Sequence, residues 1–328
     1  MNGSALRVAV IGGGQSAEHE VSIASAAAVA AALEPEVRKV VSLTIAEDGT
    51  WLDGLGRPLG ATTSLSLARA VAVLALCDVV LPIVHGPRGE DGTLAALCEL
   101  ADVAYAGSGV RGGALAMDKW ATKLVANELG ILTAPGTLVS AGHTRHVVYQ
   151  SPVVVKPVAS GSSHGVTLVR DERSLAPALA AALALDSRAL VEDLVDGREV
   201  DVAVLERADG SRVVSPALEI VTPDGELFGT SAKYDGSADF RLPAELEDVQ
   251  RKEIAEAALT MFDALDCHGV ARFDFFVTAV GPVLNEVNTM PGMTAQSQVP
   301  RMFAAAGLPY AALLGELVHG ALARHRAR

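Results

Sequence analysis

Hydrophobic and polar positions follow two periods along this chain, one typical of helices and one typical of strands. Near the N-terminus, LRVAVIGGG predicts a buried strand and a glycine turn, and an alanine-rich segment from about Glu20 to Leu33 predicts a helix. VRKVVSLTI and CDVVLPIVHG predict strands, and TLAALCEL predicts a helix by the spacing of its apolar residues. This alternation indicates a parallel sheet covered by helices on both faces, with ligand loops at the carboxyl ends of the strands.

The pattern changes near residue 107. SGVRGGALAMDKWATKLVANELG predicts a helical stretch, and PVVVKPVASGSSHGVTLV predicts two apolar strands joined by a loop of glycine and serine. ALVEDLVDGREVDVAVLE predicts another strand pair, and the last predicted helix runs from about 309 to 327. We therefore expect an α/β protein of three domains, a parallel-sheet domain of residues 1–107 and two α+β domains of residues 108–195 and 196–328.

Two segments in the last third carry polar side chains at alternate positions. Arg272 and Asp274 in ARFDFFV share one strand face, opposite two phenylalanines. Glu286 and Asn288 in LNEVNTMPGM share a face, opposite Val283 and Val287. Carboxylate and amide oxygens on adjacent strands suit one or two magnesium ions, and a neighbouring arginine suits a transferring phosphoryl group. A solvent-exposed polar face is the alternative, which the apolar flanking residues disfavour.

Composition and charge narrow the class of protein. The 328 residues are 50% hydrophobic and 20% charged, which is ordinary for a globular enzyme and argues against disorder. A net charge of −13 disfavours nucleic acid or an anionic membrane as the main partner. The three cysteines lack a CxxC pair and indicate buried free thiols. With no apolar stretch suited to a signal peptide or a membrane span, we expect a cytoplasmic protein.

Two glycine-rich segments could bind a ligand. GGGQSAEHE lacks the later glycine of GxGxxG, and Glu18 and Glu20 would repel a pyrophosphate but attract an ammonium group. The GSSHG loop follows Lys156, so its N–H groups and this lysine could surround phosphate oxygens, although an ordinary hairpin has the same sequence character. His85, at a strand end, is either a structural imidazole or a binding residue. Taken singly, Lys119 and Lys233 are better explained as solvated surface lysines, and only the neighbouring motifs favour a binding role.

Taken together, these motifs resemble those of the D-alanine–D-alanine ligases of the ATP-grasp superfamily. GGGQSAEHEVS, HGPRGEDGTL, AGSGVRGGALAMDK, VVVKPVASGSSHGV, LVEDLVDGREV, SAKYDG, GVARFDF and NEVNTMPGMT occur in the family's order, nearly from end to end. The resemblance implies a three-domain ATP-grasp fold in which ATP lies between the sheets of the central and C-terminal domains. It also implies that one D-alanine is activated as an acyl phosphate and is then attacked by the amine of a second.

The resemblance also implies roles for individual residues. For the phosphates of ATP, it implies contacts from Lys119, Lys156 and the mobile-loop Lys233, and from the loop residues Ser162 and Ser163. For the adenine, it implies a hinge of Glu192, Asp193, Leu194 and Val195, and for the ribose a contact from Glu199. For the first amino acid it implies Glu18 and His85, and for loop closure a trio of Glu18, Ser162 and Tyr234. Arg272 and Gly292 would stabilise the oxyanion, Ser297 and Gln298 would lie at the second carboxylate, and Asp274, Glu286 and Asn288 would bind the metal.

Two positions depart from the family's usual residues, and they keep alternatives open. Gln298 stands where many members carry an apolar residue, so a different acceptor such as D-serine or D-lactate is an alternative. His164 replaces a small apolar residue in the GSSHG loop, whereas Tyr234 favours a dipeptide product. The expected ligands are ATP, D-alanine and two Mg²⁺ ions for which Mn²⁺ can substitute, and the expected assembly is a homodimer. A non-catalytic ATP-binding regulator is the alternative from another class of protein.

Overall fold

The N-terminal part of the chain forms a five-stranded sheet with the predicted strand and helix alternation. The computed structural model describes residues 6–37, 39–142, 147–221 and 239–327. The strand order is β3-β2-β1-β4-β5, and all neighbours are parallel except the short edge strand β3. The elements are β1 (Arg7–Gly13), α1 (His19–Leu33), β2 (Lys39–Ile45), β3 (Trp51–Asp53), α2 (Thr63–Leu74), β4 (Val79–Pro82), α3 (Thr93–Leu100) and β5 (Ala104–Tyr105).

The central part forms a four-stranded antiparallel sheet in the order β6-β9-β7-β8. Its elements are α4 (Val110–Met117), α5 (Lys119–Glu128), β6 (Gly136–Ser140), β7 (Val153–Pro157), β8 (Thr167–Val169), α6 (Glu172–Leu185) and β9 (Arg188–Asp193). The predicted helical stretch is therefore two helices, broken at Asp118. This residue is extended, and its carboxylate accepts a hydrogen bond from the N–H of Ala121 at 2.9 Å, which caps the second helix.

The C-terminal part is built on an antiparallel sheet in the order β13-β12-β10-β14-β15, with β11 also paired to β10. Its elements are β10 (Arg198–Glu206), β11 (Arg212–Val214), β12 (Leu218–Val221), β13 (Asp239–Arg241), α7 (Asp248–Ala264), β14 (Val270–Thr278), β15 (Gly281–Asn288), α8 (Gln298–Ala305) and α9 (Tyr310–Ala327). Phe273 and Phe275 are fully buried and pack with Phe262 of α7. This confirms that the alternate residues of β14 divide between the core and a second, polar face.

A bulge interrupts the pairing of β14 with β15. Asp274 pairs with Glu286, but the next residue, Phe275, pairs with Leu284, so Asn285 is the extra residue. Leu284 is buried although it precedes the polar positions, which the simple alternation did not predict. Beyond the bulge, Glu286 and Asn288 lie on the side opposite the buried Val287, as predicted.

One hydrophobic cluster joins the first sheet to the last helices. Val8 of β1 and Leu81 of β4 share it with Phe303 of α8 and Leu314 of α9. This packing brings the loop after β15 against the carboxyl end of β4, where His85 lies. The three cysteines are buried and free, as expected. In the described ranges no single helix has both the length and the apolarity of a membrane span. Helices α8 and α9 together would be long and apolar enough, but the chain bends by 103° between them.

Candidate active site

A cavity of about 650 Å³ opens where the three parts of the chain meet. Eleven of the residues singled out in the sequence line it: Glu18, His85, Ser162, Glu199, Arg272, Asp274, Glu286, Asn288, Gly292, Ser297 and Gln298. Lys233 and Tyr234 lie outside the described residues. The fold therefore gathers residues separated by up to 280 positions around one space, as candidate site residues must be.

The acidic and amide side chains of β14 and β15 form one cluster. Asp274 pairs directly with Glu286, and Arg272 pairs with Asn288, so the four side chains occupy neighbouring cross-strand positions. The Asn288 amide donates to the Asp274 carboxylate at 3.1 Å. Across the described residues, no group of three or more His, Cys, Asp or Glu side chains could hold a metal ion. The predicted metal site depends instead on two carboxylates and the amide oxygen of Asn288.

Arg272 is held among the acidic residues of this cluster. Its Nε and Nη2 donate to the two oxygens of Asp274, each at 2.7 Å. Its Nη1 donates to the Gln298 amide oxygen at 2.8 Å, and Asp201 lies 3.6 Å from Nε. Burial lowers the Arg272 pKa, but Asp274 and Asp201 raise it by more, so the net pKa lies well above its ordinary value. The guanidinium is therefore a permanent positive charge at the cavity wall.

Asp201 was missed by the sequence reasoning. It is fully buried on β10, where it pairs with Asp274 on the neighbouring strand. The sequence did contain a signal, because Asp201 follows Glu199 by two residues and therefore shares its strand face. Buried carboxylates of this kind require positive or hydrogen-bonding neighbours, which Arg272 and Gln298 provide.

The two predicted phosphate lysines connect the central part of the chain with the C-terminal strands. The Lys119 ammonium lies 3.2 Å from the Glu286 carboxylate and donates to the Ser160 carbonyl at 2.7 Å. The Lys156 ammonium donates to Asn285, the bulge residue, at 3.1 Å. Cations from helix α5 and strand β7 thus face carboxylate and amide oxygens from β15, which is the arrangement that a bridging polyphosphate requires.

Glu192 is buried at the end of β9 between two lysines. Its carboxylate oxygens lie 2.6 Å from Lys123 and 2.6 Å from Lys156, and Lys123 also donates to the Ala134 carbonyl. Burial raises the Glu192 pKa, but the two lysines lower it by more, so the net pKa is below its ordinary value. Glu192 is thus a structural carboxylate whose position supports Lys156, at the start of the predicted adenine hinge.

Lys123 is a second residue that the sequence reasoning missed. It lies one helical turn after Lys119 on α5, so the i, i+4 spacing would have placed both on one face. Asp193 ends β9, and Leu194 and Val195 follow it in the connection to β10, so the predicted hinge is a strand end.

The loop after β7 reaches the N-terminal part of the chain. The Ser162 hydroxyl donates to the Glu18 carboxylate, and Gly161 lies so close that an added Cβ would be 2.3 Å from Glu18 Oε2. Ser162 and Ser163 both adopt left-handed backbone conformations, with φ of 50° and 57°. Two members of the predicted closing trio are therefore in contact.

His85 is buried and hydrogen-bonded at both ring nitrogens. Nδ1 lies 2.8 Å from the Met290 carbonyl, and Nε2 lies 3.3 Å from the Ser25 hydroxyl. Burial lowers the His85 pKa, but Glu90, whose carboxylate lies 3.7 Å from Nδ1, raises it by more. Glu90 also lines the cavity, and the sequence reasoning included its motif, HGPRGEDGTL, without selecting this residue. His85 is thus held firmly at the edge of the cavity.

The loop between β15 and α8 supplies the remaining candidates. The Ser297 hydroxyl accepts from the Thr294 N–H at 3.1 Å, which shapes the turn just before α8. Gly292 lies beside it, because a Cβ added there would be 3.1 Å from Ser297 Oγ. The Gly292 backbone and the start of α8 therefore form one side of the cavity.

Comparison with known proteins identifies the family. Residues 7–108 match the family described as D-ala D-ala ligase N-terminus, and residues 140–319 match D-ala D-ala ligase C-terminus. The chain belongs to the D-alanine–D-alanine ligase family. It is 41% identical to the D-alanine–D-alanine ligase of Nocardia farcinica, over 97% of this chain and 98% of that protein.

Solved structures agree with this membership. The VanG D-Ala:D-Ser ligase from Enterococcus faecalis is 30% identical, with a TM-score of 0.82 over 97% of this chain and all of that one. The D-alanine–D-alanine ligase from Bacillus anthracis, complexed with ATP, is 26% identical, with a TM-score of 0.79 over 98% and 99% of the two chains. The predicted family and its ATP-grasp fold are confirmed, whereas the roles of the individual residues stay predictions.

Proposed function

We propose that this ligase uses ATP to join two D-alanine molecules into D-alanyl-D-alanine, a precursor of peptidoglycan. The observation that carries the proposal is the meeting of Lys119 and Lys156 with the oxygens of β14 and β15. Lys119 lies 3.2 Å from Glu286, and Lys156 lies 3.1 Å from Asn285, beside the cavity that Glu18 and His85 line. Family membership supports the same activity.

The first step requires a D-alanine whose ammonium and carboxylate groups are held apart. Glu18 would accept the ammonium, while His85 and Arg272 would hold the carboxylate. A carboxylate oxygen then attacks the γ-phosphorus of ATP, so a new O–P bond forms, the bond to the β-phosphate oxygen breaks and ADP leaves. Lys119 and Lys156 would hold the phosphates in line for this transfer.

Asp274, Glu286 and Asn288 are suited to holding Mg²⁺, with Mn²⁺ as a substitute. Their hard oxygen donors lie on cross-strand neighbours, and the two carboxylates already attract the cations Arg272 and Lys119. When bound there, magnesium would neutralise negative charge on the transferring phosphoryl group. The residues' own part is to keep these oxygens on one rigid strand face.

In the second step, the amine of another D-alanine attacks the acyl carbon of D-alanyl phosphate, so that a C–N bond forms and the amine nitrogen releases a proton. The tetrahedral oxyanion would be stabilised by the Arg272 guanidinium and the Gly292 N–H, and phosphate then leaves as the C–O bond breaks. Ser297 would lie near the carboxylate of the second substrate. The contact between Ser162 and Glu18 would keep the loop closed, which matters because water hydrolyses an acyl phosphate.

The experiment is a coupled measurement of phosphate and product. Purified protein with ATP, magnesium and D-alanine is expected to release one phosphate per D-alanyl-D-alanine, whereas L-alanine gives the background rate. Arg272→Met should lower kcat by at least about 100-fold, since it removes a positive charge that stabilises developing negative charge. Phosphate release that does not depend on D-alanine would contradict the proposal.

A different acceptor is the second candidate function. Gln298 lines the cavity beside Ser297, and the chain is similar to a structure named as a D-Ala:D-Ser ligase. A competition of D-alanine, D-serine and D-lactate, with products identified by mass, separates the two. D-alanine is expected to be the preferred acceptor, and a dominant mixed product would favour the second candidate.

A further inference from the structure

The Gln298 side chain makes two hydrogen bonds within the protein, and together they determine its orientation. Its Oε1 accepts from Arg272 Nη1 at 2.8 Å, and its Nε2 donates to Asp201 Oδ2 at 3.1 Å. The oxygen must face the cationic guanidinium and the N–H₂ group must face the carboxylate, because the flipped amide would oppose both partners. The amide is thus complementary to a fixed pair of opposite charges.

Apolar, acidic and cationic side chains cannot make this pair of contacts. An apolar residue makes neither, a carboxylate would accept from Arg272 but repel Asp201, and a cationic residue would repel Arg272. Gln298 also joins three elements, because it begins α8 while Asp201 lies on β10 and Arg272 on β14. The start of α8 is thereby coupled to the guanidinium of the proposed oxyanion site.

Arg272 must keep its position when its hydrogen bonds to Asp274 are lost. Two of its nitrogens are bonded to both Asp274 oxygens, which are the oxygens suited to holding magnesium. If those oxygens turn to a cation, Arg272 loses its strongest contacts on that side. The bond from Nη1 to Gln298 does not involve the Asp274 oxygens, so it would still hold the guanidinium, with Gln298 itself bonded to Asp201.

We propose that Gln298 is a positioning residue, which holds the Arg272 guanidinium in place through its bridge to Asp201. Its effect on the reaction passes through Arg272 and not through a direct side-chain contact with the second substrate. The inference rests on the proposed function for the role of Arg272, but the bridge itself is a property of the protein alone.

The test uses two variants and a matched control. Gln298→Met keeps the length of the side chain but removes both hydrogen bonds, and Gln298→Glu keeps an acceptor for Arg272 while removing the donor to Asp201. Gln150→Met makes the same change at an exposed glutamine that does not line the cavity. Steady-state kinetics with D-alanine separate kcat from the KM of the second D-alanine, and thermal unfolding confirms that each variant is folded.

Both Gln298 variants are expected to lower kcat by about 10- to 100-fold, which is typical for loss of a partner that orients a functional group. The KM of the second D-alanine should stay within about threefold and the acceptor preference should not change. The substitution is expected to alter the position of Arg272 and not a direct contact with the second substrate. The control should match wild type. Unchanged kcat, or a change confined to KM or acceptor preference, would overturn the inference. Wild-type activity in Gln298→Glu would overturn the role of the bridge, because it would show that the hydrogen bond to Asp201 is not needed to position Arg272.

A crystal structure of Gln298→Met gives a readout that does not depend on activity. In crystals that contain magnesium and ADP, so that the Asp274 oxygens can turn to the cation, we expect the Arg272 guanidinium of the variant to rotate away from the position it keeps in wild type. If it stays in place, Gln298 does not position it, whatever the kinetics show. If wild type shows no D-alanine-dependent turnover, the proposed function fails, while this structural comparison still decides the bridge.

Discussion

Replacing Lys123 with methionine should destabilise the protein measurably without creating a cavity. Lys123 is 5% exposed, and its ammonium lies 2.6 Å from Glu192 and also donates to the Ala134 carbonyl. Removing one member of a buried ion pair typically costs about 3–5 kcal/mol when the partner is left uncompensated. Here Lys156 remains 2.6 Å from the same carboxylate, so we expect a smaller loss, about 2–3 kcal/mol.

Urea unfolding followed by circular dichroism measures this loss, with Lys252→Met as the control. Lys252 lies 3.7 Å from Glu256 on the surface of α7, with 74% of its side chain exposed, so its removal should change stability by less than about 0.5 kcal/mol. A Lys123→Met variant as stable as the control would show that Lys156 alone compensates Glu192, and the reasoning from the buried triad would be wrong.

Three further predictions follow from single contacts. Burial raises the Glu192 pKa, but Lys156 and Lys123 lower it by more. The ionised Glu192 carboxylate therefore stabilises the folded protein above its unfolded pKa near 4.5, and this contribution is lost as the pH falls further. The difference in unfolding free energy between wild type and Glu192→Gln, measured with urea, should shrink below pH 4.5, and a difference that grows there would contradict the prediction. Gly161→Ala would place a methyl group 2.3 Å from Glu18 Oε2, so the loop could not keep its present contact with Glu18. D-alanine-dependent phosphate release should therefore fall at least about tenfold with the melting temperature nearly unchanged, and wild-type activity would contradict this. Gly315→Ala, inside α9 with no atom within 4 Å of the new methyl, should stabilise the protein by about 0.4–1 kcal/mol in thermal unfolding, and a lower melting temperature would refute the prediction.

The division of β14 and β15 into two faces could be predicted from the sequence. Phe273 and Phe275 are buried, while Arg272 and Asp274 line the cavity, as the two-residue period requires. The bulge at Asn285 could not be predicted this way, because it depends on how two strands pair and not on one strand's alternation. The break at Asp118 did have a local signal, since aspartate is a common helix cap, but the long apolar pattern obscured it.

The contacts between distant residues were beyond sequence reasoning from periodicity. Lys119 and Glu286 are ion-paired across 167 positions, and Ser162 and Glu18 are bonded across 144. The resemblance to a family implied that these residues share a site, but it did not indicate Asp201, Glu90 or Lys123. Asp201 and Lys123 are selected by their burial and Glu90 by its place in the cavity, and only the packed structure provides these environments.

By itself, the sequence determined which side chains share a strand face or a helix face, and which family the motifs resemble. Backbone geometry sets those faces within a few residues, so a short segment contains all the information needed. Tertiary structure alone decided which faces oppose each other, and so made Gln298 a bridge between Arg272 and Asp201. That outcome depends on how strands and helices far apart in the chain pack into shared hydrophobic clusters, because the free energy of burial comes from all of these residues together.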